Sequence, residues 1–114
     1  MATHETSTHP LAFAHMEGGM KTVYVLPWSM EASMLSAGDR IEFEGLGSIT
    51  LGMKRRYDTL AALMEAEGFV NVIPEAANVE EALRLLESSD GWNAAAVVSG
   101  GVFAFRVRWA KRKS

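Results

Sequence analysis

The 114 residues allow one domain with one core, and 48% apolar against 22% charged residues matches an ordinary folded chain. The absence of cysteine excludes disulfides, thiolate nucleophiles and thiolate metal sites. A net charge of −3 argues against coating nucleic acid through bulk charge, no apolar run is long enough for a bilayer, and the polar 1–10 stretch is unlike a secretory leader. A cytoplasmic location is therefore expected, with no membrane partner.

Residues 1–9 are expected to be flexible, or at most an edge strand. Pro10–Glu17 reads as a short helix opened by proline and closed by Gly18-Gly19. Lys21–Leu26 reads as a strand ending at Pro27, with Lys21, Val23 and Val25 on one face and Thr22, Tyr24 and Leu26 on the other. The apolar stretch from Trp28 to Ala37 lacks a period and reads as a loop or helical turn. Gly38-Asp39 opens a hairpin in which Ile41 and Phe43 alternate with charged residues, Gly45-Leu46-Gly47 turns, and Ile49, Leu51 and Met53 share a face. Lys54–Tyr57 extends its second strand.

Two helices follow. Asp58 is the expected cap of the first, whose Leu60, Leu63, Met64 and Glu67 fall on one face before Gly68. Asn78 caps the second, with Glu81 in the capping-box position and Val79, Ala82, Leu83 and Leu86 as its apolar stripe. Ser88–Gly101 has no readable pattern. Val102–Trp109 is a final strand with Phe103, Phe105, Val107 and Trp109 on one face and Ala104, Arg106 and Arg108 on the other. The mixture favours an α+β fold or a small barrel carrying helices over a doubly wound sheet.

Charge is unevenly distributed. Arg106, Arg108, Lys111, Arg112 and Lys113 lie in an acid-free terminal stretch, of which 111–114 is expected to be a basic tail. Lys54-Arg55-Arg56 is a second cluster, and a fold that joined the two would build an anion-binding face on an acidic protein. Lys21, at the head of its strand, is placed for partial desolvation, which lowers a lysine's pKa and makes a base or nucleophile of it. Glu67 extends an apolar stripe in a last helical turn, where negative charge is disfavoured, so a nearby cation such as Lys21 is the expected compensation. Trp28 follows Pro27 in an expected loop and is the best placed of three tryptophans to stack on a base. His4-Glu5 and His9 have HExxxH spacing, which does not align two imidazoles on a helix, so no metal and no cofactor are expected.

Five phrases occur in an order that resembles the ASCH domain, a branch of the PUA-like superfamily. They are Gly19-Met20-Lys21-Thr22-Val23, Gly38-Asp39-Arg40-Ile41-Glu42-Phe43, Tyr57-Asp58-Thr59-Leu60 with Glu67-Gly68, Asn71-Val72-Ile73-Pro74, and Gly101-Val102-Phe103-Ala104-Phe105. The resemblance runs from about Pro10 to Trp109. It implies an α+β fold built on a PUA-like small β-barrel of about five to six strands with two to three flanking helices, a cleft walled by the lysine strand, and an RNA-binding role. One branch of that family hydrolyses acetylated cytidine nucleosides with a lysine, a threonine and a glutamate. Lys21 matches the lysine and Glu67 the glutamate, whereas Tyr24 and Leu26 replace the usual polar residues of the first motif.

The leading expectation is a module that binds RNA, a nucleotide or a nucleoside beside Lys21, with Trp28, Lys54, Arg55, Arg56, Arg106 and Arg108 in contact with the ligand. The alternative is an amidohydrolase of acylated nucleosides, with Lys21 as base or nucleophile, Glu67 positioning it and Tyr24 orienting the carbonyl. A third reading is a protein-interaction domain that uses the apolar Trp28–Leu35 stretch.

Overall fold

The computed structural model describes residues 3–89 and 91–113. In chain order the elements are β1 (Thr3–Thr6), α1 (Pro10–Glu17), β2 (Val23–Pro27), α2 (Met30–Met34), β3 (Arg40–Phe43) and β4 (Gly47–Tyr57). Then come α3 (Leu60–Glu67), α4 (Phe69–Val72), α5 (Val79–Glu87), α6 (Ala94–Gly100) and β5 (Val102–Arg112). The strands form one curled, half-barrel sheet in the order β1-β3-β4-β5-β2. Among the described residues only the β1–β3 pair is parallel.

Each sheet face carries its own core. On one, Phe13 and Met16 of α1 and Ala32 of α2 pack with Tyr24, Ile41, Phe43, Ile49, Leu51, Phe103 and Phe105. On the other, Leu60, Leu63 and Met64 of α3, Val72 of α4 and Ala82 of α5 cover Val23, Val25, Val102 and Ala104. Both faces of β2 are thus buried, as expected for a strand reading Val-Tyr-Val-Leu.

Several expectations need correction. Of the two readings of residues 1–9, Thr3–Thr6 takes the edge strand rather than the flexible segment, pairing with Arg40–Phe43. Lys111 and Arg112 are not tail, because β5 continues to Arg112 opposite Gly47. The register shifts between Thr50 and Leu51, where Val107 faces Leu51 and Trp109 faces Thr50. The extra residue in β5 moves Trp109 off the Phe103–Val107 face, so it is 59% exposed while Ala110 packs on the core. Thr59, not Asp58, caps α3 by accepting from the Ala62 amide, and Asp58 pairs with Arg56 instead. Helices α2, α4 and α6 raise the helix number above the expected two to three. At four to seven residues, none spans enough turns to display a helical period.

Candidate functional site

Lys21 sits between α1 and β2. Its amide donates to the His15 carbonyl, the next amide to Asn71, and the Thr22 carbonyl accepts from Val107. These bonds hold residues 20–22 against α1, α4 and β5 together. The side chain is enclosed, with the residue 6% exposed, and the ammonium donates to the Val72 carbonyl at the end of α4. Burial lowers its pKa to about 8, and the charge of Glu75 acts in the opposite direction. Glu75 also lies 3.5 Å from Nδ1 of His15. Neither residue was singled out in the sequence, because Glu75 follows a proline outside any helix and His15 carries no motif.

Glu67 has a different set of partners. Its side chain is 6% exposed, the Tyr57 hydroxyl donates to Oε2 at 2.5 Å, and Nε of Arg106 lies 3.8 Å from Oε1. The cation compensating this last-turn carboxylate is therefore Arg106, and the expected Lys21–Glu67 pair is not formed. Desolvation raises the Tyr57 pKa, the Glu67 hydrogen bond and charge add to the shift, and Arg55 opposes it. Tyr24 does not join either group: it is buried against Phe43, ring centroids 5.5 Å apart, on the sheet face opposite to Val23 and Val25. Burial raises its pKa. It cannot orient a carbonyl held at Lys21.

The basic residues divide into two sets. Nζ of Lys54 donates to the carbonyls of Ala32, Ser33 and Leu35 at 3.1, 2.9 and 2.8 Å and lies 4.3 Å above the Phe103 ring. Desolvation lowers its pKa, against an opposing contribution from Asp39. Lys54 therefore clamps the C-terminal end of α2 rather than meeting phosphate. Lys54→Met is expected to destabilise the fold by about 2 kcal/mol in urea denaturation, since bonds to a charged donor are lost at a helix end. An unchanged midpoint would refute the clamp. Arg56 similarly donates to the Gly100 carbonyl at 2.8 Å and pairs with Asp58 at 2.9 Å, which ties β4 to the end of α6. Trp28 rests on the same helix end, where a Cβ on Gly100 would come within 2.4 Å of its ring. The indole remains 40% exposed.

Arg55, Arg106 and Arg108 form the second set. Arg55 pairs with Ala104, so it lies on the Ala104–Arg106 face, beside Tyr57. The backbone of Arg106 passes Gly52 at the β4 irregularity, where a Cβ would sit 3.2 Å from that of Arg106. Arg108 places its guanidinium 5.6 Å from the Trp109 ring. All three arginines are exposed, and Met53 and Trp109 beside them are 57% and 59% exposed. Arg55 and Arg106, one from each basic cluster, thus share a sheet face beside the buried Glu67 carboxylate, with Arg108 two residues further along β5.

The fold is similar to that of hypothetical protein PH0355. That crystal structure superposes with a TM-score of 0.83 at 20% identity, covering 97% of this chain and 99% of the other. The solution structure of PF0455 from Pyrococcus furiosus gives 0.75 at 20% identity, with 96% of each chain covered. No protein-family profile and no curated protein matches the sequence.

Two clefts, one at the end of the sheet and one on α5, are lined by neither Lys21, Tyr24 nor Glu67. Among the described residues no group of three histidine or carboxylate side chains is placed to hold a metal, and no helix is long and apolar enough to cross a membrane. Chemically, the site offers guanidinium donors, an aromatic face and one buried acceptor. This is equipment for holding an anion with a flat ring.

Proposed function

We propose that the chain is a PUA-like module of the ASCH type that binds single-stranded RNA across the Arg55–Arg106–Arg108 face. The observation that carries this reading is the β4–β5 register, which sets Arg55, paired with Ala104, on the same sheet face as Arg106 although the two are distant in sequence. Guanidinium groups engage phosphate through paired donors. Trp109 supplies a stacking surface in place of Trp28, whose ring is seated on Gly100. Glu67, 3.8 Å from Arg106, biases that guanidinium toward this face. The five ASCH-like phrases support the same reading. Lys21 belongs to the scaffold behind this face rather than to the ligand.

Fluorescence anisotropy with a labelled single-stranded RNA tests it. Wild type should bind at low salt, with log K falling against log salt by a slope near −2 if roughly three phosphates are neutralised. Arg55→Ala with Arg106→Ala should weaken binding about tenfold or more and make the slope shallower, while Arg56→Ala should leave the slope unchanged. No retention of RNA by wild type at low salt overturns the reading.

A further inference from the structure

A cleft of about 880 Å³ lies where the ends of β1, β3, β4 and β5 meet. Its floor follows from register alone. Glu5 pairs with Glu42, Glu42 with Ser48 and Ser48 with Lys111, so these four side chains form one row across the sheet. The adjacent row on the same face is Thr3, Arg40, Thr50 and Trp109. Rows two residues apart are separated by about 7 Å. Trp109 thus stands between the cleft and the arginines already described.

The cleft is polarised. Its β1–β3 side carries Glu5 and Glu42 in directly paired positions, an arrangement that like-charge repulsion disfavours. Arg40 offsets one of them, 3.3 Å from Glu42, while Glu5 has no cationic partner among the described residues. The β5 side carries Lys111 and Lys113, neither with a carboxylate partner among the described residues. A volume of this size accommodates one nucleotide-sized group. Carboxylates accept from hydroxyl or amine donors, and ammonium groups attract phosphate.

We propose that this cleft receives the 3′-terminal nucleotide of the bound RNA, with its ribose diol on Glu5 and Glu42 and its phosphate on Lys111 and Lys113. The proposal rests on the RNA-binding reading above. A 3′-terminal ribose has two adjacent hydroxyl donors on one side and a single phosphate on the other, matching the two walls. An internal ribose has one free hydroxyl and phosphates on both sides, so a strand running through would carry its next phosphate against the two carboxylates. The acidic wall therefore ends the path that begins at Arg55 and Arg106.

The test compares three RNAs of one sequence, about eight nucleotides long, ending in a 2′,3′-diol, a 3′-phosphate or a 2′,3′-dideoxyribose. The phosphate-ended RNA should bind wild type about tenfold more weakly than the diol, and the dideoxy-ended RNA several-fold more weakly. Glu5→Gln combined with Glu42→Gln should abolish most of the discrimination against the 3′-phosphate while keeping affinity for the diol within a few-fold. Equal affinity for all three ends, or tighter binding of the phosphate end, overturns the proposal and leaves the RNA-binding reading standing. A dideoxy end that binds as well as the diol overturns the hydroxyl contacts. No binding of any of the three overturns both.

Discussion

Replacing Lys21 with methionine is expected to abolish a rise in stability of about 3 kcal/mol that wild type shows as pH increases from 8 toward 10.5. Folding encloses the ammonium and lowers its pKa to about 8, whereas the unfolded chain keeps the ordinary lysine value. Below pH 8 both states hold the proton, and the folded state bears the full cost of a buried charge. Between the two values the unfolded state binds a proton that the folded state does not, so stability climbs with pH by up to about 1.4 kcal/mol per unit. Above about pH 10 the raised pKa values of Tyr24 and Tyr57 act the other way, because the unfolded chain ionises first. Taking the difference between wild-type and Lys21→Met urea midpoints across pH 7 to 10 cancels those contributions. Parallel curves for the two proteins would show that the Lys21 ammonium is not enclosed.

Gly101→Ala should destabilise the domain by about 4 kcal/mol, a large part of the stability of a domain this size. Gly101 joins α6 to β5 at φ +84° and ψ −158°, a region open essentially to glycine alone. A Cβ there would also stand 2.6 Å from the Tyr57 carbonyl and 2.8 Å from the Arg56 guanidinium. The carbonyl belongs to the strand pairing that begins at Tyr57 and Val102, so it cannot withdraw without opening the β4–β5 ladder. Gly19→Ala separates strain from collision: its φ is +82°, but nothing lies within 4 Å of the added atom, and a loss of about 1 kcal/mol is expected. Equal losses for the two substitutions would remove the steric account.

The hairpin and the helices α3 and α5 were legible in the sequence because each displays its period over enough residues. Ile41 and Phe43 alternate with charges, and Leu60, Leu63 and Met64 recur at helical spacing. By contrast, α6 reads Ala-Ala-Ala-Val-Val-Ser-Gly, with no polar face to contrast with an apolar one. The exposed Trp28, Met30 and Met34 near α2 gave the stretch its apolar character, yet only Ala32 of that helix is buried. The site was harder to read. That Glu67 would need a cation followed from local electrostatics, but that the cation is Arg106 depended on β5 lying beside β4. Lys54 and Arg56 resembled phosphate ligands because sequence shows a charge and not its acceptor. Their acceptors are backbone carbonyls 19 to 44 residues away, which no side-chain pattern announces. The shift of Trp109 to the open face required a bulge that its alternating neighbours concealed.

Because β5 lies between β4 and β2 and contributes Phe103 and Phe105 to one core and Val102 and Ala104 to the other, neither hydrophobic interior can close before residues 102–112 have been synthesised. A nascent chain halted before that stretch would present β4 with one edge unpaired and a detached β2 to solvent or to chaperones, the condition in which sheet proteins associate with one another. Folding of this domain is thereby coupled to the emergence of its β5 segment, and translational pausing upstream of Val102 would lengthen the interval of exposure.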